Sequence, residues 1–327
     1  MAEALINQIS ELHVVVIGDV MIDEYLWGHV NRISPEAPVP VVEVEKTENR
    51  LGGAANVALN CKALGAKVSL ASVVGTDLKG DQLLKLLEEN EIQTELLFRI
   101  SERITSTKTR VFSKNQQLLR YDQEQTEDVD LQLEHAFIDR VLRYLQIEKP
   151  HAVIFEDYNK GVLKPNIIKK IIKHCQHLGI VTAVDPKFKN FFHYQEVTIF
   201  KPNLKEIKEA LSLNFASVDE GILMQAHEQL FQELQHQLTL ITLSEKGIFY
   251  KDQNQQKWLP AQHRVIADVS GAGDTVIAVA TLIYTLTKDA YLMASYANIA
   301  GGLVCEEVGV VPINKQKFIT ELNKISI

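Results

Sequence analysis

The sequence predicts an α/β fold built on a mostly parallel β-sheet with helices on both faces. Apolar runs rich in β-branched residues are typical of buried parallel strands, and they occupy 13–17, 68–74, 152–155, 181–184, 198–200 and 238–242. Helical patterns lie between them at 54–64, 78–89, 130–146, 165–178, 204–211 and 219–234. Strands that alternate with helices indicate βαβ units and therefore a parallel sheet covered on both sides.

The last part of the chain and two β-rich segments depart from this alternation. After Asp268 the pattern is helical only, at 275–287, 290–308 and 315–324. Segment 39–44 contains prolines, which suit only an edge strand or the start of a strand. Segments 105–113 and 118–122 flank the polar tetrad 114–117 and predict a hairpin. We therefore expect one domain spanning 1–327, with a small β-sheet lid formed by about 24–46 and 97–123.

Composition narrows the class of protein. Of 327 residues, 46% are hydrophobic and 23% charged, which is ordinary for a globular chain. A net charge of −8 disfavours a nucleic-acid partner, and three cysteines without a C-x-x-C pair argue for a reducing compartment. The N-terminus lacks the basic region of a signal peptide, and the nearly uncharged stretch 275–287 is too short to span a bilayer. We expect a cytoplasmic protein with no membrane partner.

The most informative motif is Asp-Val-Ser-Gly-Ala-Gly-Asp at 268–274, at the start of an apolar helix. The small residues Gly271, Ala272 and Gly273 leave backbone N–H groups bare at a helix N-terminus, which is an anion-binding arrangement. Asp274 then places a carboxylate where it can accept a proton from a hydroxyl nucleophile, as phosphoryl transfer to an alcohol requires. The helix dipole predicts a lowered pKa for Asp274. A helix N-cap after a glycine turn explains the local pattern equally well.

Two N-terminal features are candidates for binding a sugar. Asp19 follows the first strand and Asp23 comes four residues later, at the sheet edge where open α/β proteins bind ligands. Gly52 and Gly53 permit close approach of a ligand to the backbone, and Asn56 offers a donor and an acceptor. A turn and a helix entry are the structural alternatives.

Two further patterns suggest binding of a cation and of an anion. Asn203 and Glu206 stand three apart at a predicted helix start, which suits either Mg²⁺ held through water or a capping box. Period-two alternation places Lys108 and Arg110 on one face of the hairpin, and Arg120 shares it from the partner strand. Like charges opposed across strands are destabilising unless an anion lies between them, although a solvated lid face is the simpler explanation.

Together these motifs resemble the signatures of the ribokinase (PfkB) family of carbohydrate kinases. The early signature is matched by Gly-Gly-Ala-Ala-Asn at 52–56, and the late signature by the motif at 268–274. The pair Asn203-x-x-Glu206 lies between them, and the resemblance covers about 14–308. The resemblance implies a ribokinase-like fold with ATP and Mg²⁺ as cofactors, and a monovalent cation as a further candidate. It implies Asp274 as the base and Gly271, Ala272 and Gly273 as the anion hole. The implied sugar contacts are Asp19, Asp23, Gly52, Gly53 and Asn56.

Within this family, stretches 31–42, 114–122 and 157–161 are similar to those of heptose 7-phosphate kinases. The similarity implies ATP-dependent phosphorylation of the anomeric hydroxyl of D-glycero-D-manno-heptose 7-phosphate, in synthesis of lipopolysaccharide core precursors. It makes Arg110, Arg120 and Lys160 candidates for the distal phosphate. The family also implies a homodimer formed through the lid. Its nucleotide-binding and magnesium positions correspond to Asn203, Glu206, Thr242, Ser244, Gly247 and Asn298.

Some features depart from that pattern, and two other functions stay open. The sequence has no H-x-G-H motif, so we expect no nucleotidyltransferase domain, and Ser270 replaces the usual threonine of the late signature. A kinase for another sugar or sugar phosphate would share Asp274 but not the phosphate-binding lid. A non-catalytic sugar or nucleotide sensor would have no use for the retained base.

Overall fold

The computed structural model describes residues 2–114, 116–213 and 217–324. Within these ranges it is an α/β structure with one large, mostly parallel sheet flanked by helices and one smaller sheet, which confirms the predicted fold class. Asn115, part of the predicted hairpin turn, lies outside the described residues. None of the described helices combines the length and apolarity needed to cross a membrane.

The described strands include every buried run that the sequence predicted, with ends shifted by at most two residues. In chain order they are β1 (His13–Gly18), β2 (Val20–Ile33), β3 (Pro40–Gly53), β4 (Lys67–Gly75), β5 (Gln93–Ile100), β6 (Thr107–Ser113), β7 (Gln116–Gln123), β8 (Ala152–Glu156), β9 (Val181–Asp185), β10 (Ile199–Phe200), β11 (Leu238–Thr242), β12 (Ile248–Lys251) and β13 (Gln256–Leu259).

The helices follow the predicted bounds closely. They are α1 (Ala2–Gln8), α2 (Ala54–Leu64), α3 (Leu78–Glu89), α4 (Leu131–Glu148), α5 (Pro165–Leu178), α6 (Leu204–Ala210), α7 (Glu220–Leu234), α8 (Ala272–Thr287), α9 (Ala290–Val304) and α10 (Lys315–Lys324). Helix α1 was not predicted, and two ends differ by three residues or more: α8 begins at Ala272 and not at 275, and α9 stops at Val304 and does not reach 308. There the amides of Glu306 and Glu307 bond to carbonyls three residues back, which tightens the chain into a turn.

The large sheet brings the carboxyl ends of its parallel strands together. Its described strands have the order β13-β12-β11-β10-β9-β8-β1-β4-β5, and all but β12 and β13 are parallel to their neighbours. Side chains of β1 alternate between two apolar layers. Val14 and Val16 pack with α2, α8 and α9, while Val15 and Ile17 pack with α4, α5 and α7. The sheet is therefore buried on both faces, as parallel sheets require.

The small sheet has the strand order β3-β2-β6-β7, and it differs from the predicted lid in its limits. Residues 97–100 belong to β5, which pairs with β4 in the large sheet, so the predicted second segment started too early. The long strands β2 and β3 pair antiparallel from Val20 opposite Gly53 to Ile33 opposite Pro40, so they run from the core into the lid. Because β3 lies at the edge of this sheet, the edge-strand prediction for 39–44 agrees with the structure.

Candidate active site

Three buried carboxylates meet at the carboxyl edge of the large sheet. Glu156 ends β8, Asp185 ends the adjacent β9, and Asp274 lies in the first turn of α8. Each offers an oxygen, and these oxygens lie within 4.8 Å of one another. Carboxylates are rarely buried so close together unless a cation or a proton compensates their charge, so this edge is the candidate active site.

Asp274 is 4% exposed and is held by two hydrogen bonds. Asn56 Nδ2 donates to Asp274 Oδ2 at 2.7 Å, and the Tyr158 hydroxyl donates to Asp274 Oδ1 at 3.0 Å. Burial raises the pKa of Asp274 to about 6, with the hydrogen bond from Asn56 opposing the rise. The prediction of a lowered pKa was therefore wrong, because desolvation outweighs the helix dipole. A carboxylate with this pKa is a better base near neutral pH than the sequence suggested.

A second asparagine orients Asn56. Asn60 Nδ2 donates to Asn56 Oδ1 at 3.2 Å and to the Asn56 carbonyl at 2.9 Å. Asn60 Oδ1 accepts from Thr275 Oγ1 and from the Ile313 amide, both at 3.0 Å. With its oxygen engaged in this way, Asn56 must present its NH₂ group to Asp274. The structure thus brings Asn56 to the base, whereas the sequence predicted a sugar contact.

The predicted anion hole lies at the start of α8, beside an ion pair. Gly271 caps the helix with a φ of 78°, a conformation that glycine adopts without strain. A Cβ on Gly273 would lie 3.5 Å from Asp185 Oδ2 and 3.7 Å from Lys201 Nζ. Lys201 is 2% exposed and pairs with Asp185 at 2.6 Å. Burial alone would lower the pKa of Lys201, but Asp185 and Glu206 raise it, so the ammonium stays charged beside the small residues of the helix start.

Glu156 is the least compensated of the three carboxylates. It is fully buried, and neither of its oxygens has a hydrogen-bond partner. Burial, Asp185 and Asp274 raise its pKa well above the ordinary value. Asp185 Oδ1 also lacks a hydrogen-bond partner. Free carboxylate oxygens of this kind fit a hard divalent cation.

Asn203 and Glu206 form the capping box that the sequence offered as the alternative to a metal site. Asn203 Oδ1 accepts from the Glu206 amide at 2.9 Å, and Glu206 Oε2 accepts from the Asn203 amide at 2.8 Å. Glu206 Oε1 accepts from Lys187 at 2.6 Å. Both carboxylate oxygens of Glu206 are thus in use, so a magnesium role for this pair stays a prediction.

Asp19 and Asp23 have different surroundings. The Asp19 carboxylate accepts hydrogen bonds from the backbone amides of Tyr158, Lys160 and Val162, at 2.9, 3.0 and 3.2 Å. Asp19 therefore holds the 157–162 loop, and its contact with a sugar stays a prediction. Asp23 forms a buried ion pair with Arg110, and a Cβ on Gly52 would collide with the Asp23 carboxylate.

Of the predicted distal-phosphate cations, Arg110 and Arg120 lie on the lid and Lys160 lies in the loop after β8, and each is paired with an acid. Arg120 stands directly opposite Arg110 across β6 and β7, is 53% exposed, and pairs with Asp122 at 3.1 Å. Lys160 pairs with Glu124 at 2.6 Å. Lys108 pairs with Asp122 and Glu124, at 3.1 and 3.5 Å.

The predicted nucleotide residues gather along two neighbouring segments. Thr242 ends β11 and forms a bridge with Asn203, and Ser244 follows with a positive φ of 53°. Gly247 packs so closely on the backbone of 259–261 that any Cβ would collide with it. Asn298 Nδ2 donates to the carbonyl of Pro260, in the same segment, at 2.9 Å. Their contact with a nucleotide stays a prediction.

The sequence reasoning missed four residues of this site: Glu156, Asp185, Lys201 and Tyr158. The sequence did carry a signal for three of them. Glu156 and Asp185 each follow an apolar strand run, and so does Lys201, at the sheet edge where ligands bind. Tyr158 carried no such signal, because its position depends on the fold of the loop that follows β8.

The fold and this site define a class of protein, and sequence comparison identifies it. The model of the pfkB family carbohydrate kinases matches residues 11–317, so the chain belongs to this family and is a carbohydrate kinase. It is similar to the bifunctional protein HldE of Desulfatibacillum aliphaticivorans, with 39% identity over 320 residues, which are 97% of this chain and 64% of that protein. The chain thus spans less than two thirds of that relative's length.

Solved structures show the same fold at much lower identity. Phosphofructokinase-2 from Escherichia coli in complex with potassium superposes with a TM-score of 0.77 at 16% identity, covering 95% of this chain and 99% of that one. Arabidopsis thaliana ribokinase complexed with ribose and ATP superposes with a TM-score of 0.72 at 16% identity, covering 96% and 99%. Both confirm the ribokinase-like fold.

Asp274→Asn tests the assignment of the base. The amide is nearly isosteric but cannot accept the proton, so we expect nucleotide and sugar binding to persist while turnover falls by about 10²–10⁴-fold. Steady-state kinetics and calorimetric titration with a nucleotide measure the two effects. Asp81→Asn, at an exposed aspartate on α3, is the matched control and should turn over normally. A kcat close to that of the wild type in Asp274→Asn would contradict the assignment.

The pH dependence tests the raised pKa. A base must be deprotonated to act, so kcat/KM should be constant above the pKa of Asp274, about 6, and fall below it as the pH drops. Profiles from pH 5 to 8 should be measured with a phosphorylated sugar and with a neutral one, because a sugar phosphate itself titrates near pH 6. The acid limb should appear with both. A limb that is seen only with the phosphorylated sugar would assign it to the substrate.

Proposed function

We propose that the protein is an ATP-dependent kinase that phosphorylates the anomeric hydroxyl of D-glycero-D-manno-heptose 7-phosphate, a step toward lipopolysaccharide core precursors. The observation that carries the proposal is a buried base at the start of α8 together with two arginines, Arg110 and Arg120, that stand opposite each other across the lid hairpin. The stretches 31–42, 114–122 and 157–161 and the 39% identity with an HldE protein support the choice of sugar.

The chemistry follows from the surroundings of Asp274. Asp274 takes the proton of the acceptor hydroxyl, whose oxygen bonds to the γ-phosphorus while the bond from that phosphorus to the β-phosphate oxygen breaks and ADP leaves. The bare amides at Gly271, Ala272 and Gly273 and the buried Lys201 ammonium stabilise the charge of the transferring phosphoryl group. Because these dipoles are fixed before the reaction, they need no reorganisation during it.

Mg²⁺ is the metal that the family resemblance implies, and the donor set fits it. Glu156 and Asp185 offer buried oxygens without hydrogen-bond partners, and Glu206, in the capping box with Asn203, is joined to Asp185 through Lys187. When bound, the ion neutralises charge on the phosphates of ATP. The protein's part is to keep these oxygens in place, and the capping box of α6 and the pairing of β8 with β9 do this.

The acceptor sugar is placed by residues of the lid and of the glycine turn. Asp23 can accept hydrogen bonds from vicinal hydroxyls while its pairing with Arg110 keeps the carboxylate oriented. Gly52 and Gly53 end β3 and allow the sugar to approach the backbone. Since α2 begins at Ala54, this turn also carries Asn56 to the base.

The distal phosphate would bind where Arg110 and Arg120 oppose each other across the hairpin. Two guanidinium groups directly opposite on adjacent strands repel, and a phosphate between them removes that repulsion. Lys160 can exchange Glu124 for the same anion, and Asp122 already shields Arg120 in its absence. Phosphate binding would thus exchange these ion pairs, and the displaced Asp122 and Glu124, both partly exposed, would keep Lys108 as a partner.

Arg120→Ala tests this substrate choice. Charge-assisted contacts with one phosphate are worth roughly 1.5–3 kcal/mol, so kcat/KM for heptose 7-phosphate should fall by roughly 10–100-fold. Turnover of an unphosphorylated sugar should barely change. Coupled assays over a panel of sugars and 7-phosphosugars measure both effects. Arg99→Ala is the control, because this arginine pairs with an aspartate outside the lid. Equal losses for both kinds of sugar would show that Arg120 supports only the lid.

A homodimer through the lid is the second part of the proposal. Val39 and Val44 are 51% and 50% exposed on or beside the edge strand β3, whose free backbone groups can pair with a second copy. Sedimentation at micromolar concentration should show a dimer, and Val44→Lys should shift it toward monomer. Ile147→Lys, at an exposed site on α4, should leave the dimer intact. A fully active wild-type monomer would contradict lid pairing.

A further inference from the structure

Tyr158 lies between the proposed sugar-binding residues and the residues proposed to bind the phosphates. Its hydroxyl donates to Asp274 Oδ1 at 3.0 Å, and a Cβ on Gly53 would lie 3.5 Å from Tyr158 Cδ2, so the ring lies against the sugar-binding glycine turn. Lys187 Nζ, which joins Asp185 and Glu206, lies 5.4 Å from the centre of the same ring. The side chain therefore lies between the glycine turn, the base and the Lys187 ion pairs.

The two hydrogen bonds on Asp274 differ in how they are supported. Asn60 donates to Asn56 Oδ1, which fixes the orientation of the Asn56 amide and therefore its hydrogen bond with Asp274 Oδ2. The Tyr158 hydroxyl is bonded to Asp274, and within the described residues no second hydrogen-bond partner supports it. The Tyr158 residue is also partly exposed. Oδ1 is thus the oxygen of the base that can exchange its partner.

The backbone beneath Tyr158 is fixed, so any exchange must be a rotation of the side chain. Asp19 accepts the amides of Tyr158, Lys160 and Val162. Asp157 accepts the Asn159 amide at 2.8 Å. A loop held by these four hydrogen bonds does not swing away as a unit, whereas rotation about χ1 alone moves the Tyr158 hydroxyl off Asp274.

From this geometry we propose that Tyr158 is a specificity-determining residue. Its hydroxyl stays hydrogen-bonded to Asp274 Oδ1 until a sugar hydroxyl replaces it, and so it keeps water from accepting the phosphoryl group. The inference rests on the proposed kinase function. Were water to enter, its oxygen would bond to the γ-phosphorus and the bond from that phosphorus to the β-phosphate oxygen would break. Asp274 would take the water proton, and the products would be ADP and inorganic phosphate. A sugar can displace the phenol because its other contacts contribute binding free energy that a water molecule lacks.

The test is phosphate release from ATP and Mg²⁺ without any sugar. Tyr158→Phe frees Oδ1 while it keeps the ring, so release should rise roughly five- to tenfold, the factor for one net hydrogen bond. Tyr158→Ala should raise it further, because it also opens the space beside Gly53. The double variant Tyr158→Phe/Asp274→Asn should return to background, which shows that the added hydrolysis uses the same base.

Tyr194→Phe is the matched control. Its hydroxyl donates to Asp157 Oδ2 at 2.7 Å, so the variant removes a buried phenol–carboxylate bond from the same loop without touching Asp274. Sugar-free hydrolysis should then stay at the wild-type rate. With sugar, Tyr158→Phe should lower the KM for the sugar at little cost in kcat, because the hydroxyl no longer competes with the phenol.

Two outcomes would overturn the inference. Sugar-free release by folded Tyr158→Phe at or below the wild-type rate would show that the phenol does not exclude water. A fall in kcat with unchanged KM for the sugar would make Tyr158 only a positioning residue for the base. Neither result bears on the kinase assignment, which fails separately if the wild type phosphorylates no sugar of the panel.

Discussion

A carboxylate buried at the start of α8 constrains most of the structure around it. An uncompensated buried charge costs several kcal/mol, so Asp274 needs donors on both oxygens. Those donors come from distant parts of the chain, Asn56 on α2 and Tyr158 after β8. Each is held in turn, by Asn60 and by the Asp19 carboxylate that follows β1. The packing of α2, α8, β1 and β8 thus determines the geometry around the base.

Much of the fold was predictable because its signals are local. Helices α2, α3, α5 and α10 have the predicted bounds, and Gly65 and Gly179 end α2 and α5 in the left-handed conformation that glycine favours. The outer part of β2 falls within the predicted lid segment 24–46, but no separate strand was predicted over Val20–Ile33, because its outer half is only partly buried and lacks the apolar run of a central strand. The edge strands β5 and β13 were missed for similar reasons, since their partial burial weakens the pattern, and β12 was missed because it has only four residues.

The candidate site was predictable only where one segment carries the chemistry. The 268–274 motif has its base and its small residues on consecutive positions, so the sequence located both. The raised pKa of Asp274 was not predictable, since it depends on burial by α2 and β8 rather than on the local dipole. Asp19 and Asn56 were identified as polar groups at the right edge of the sheet. Their hydrogen-bond partners, however, come from loops that sequence patterns do not place.

The pairing of β2 with β3 has a consequence for how such chains can diverge. Val20 stands opposite Gly53 and Asp23 opposite Arg50, while the two strands leave the core and join through 34–39. A residue inserted near Asp23 would reverse the faces of the side chains beyond it and separate the carboxylate from Arg110. A change of length within 34–39 would leave every pair below it unaltered. Evolution can therefore vary the tip of the lid freely, while the same hairpin tolerates no change of length at its base.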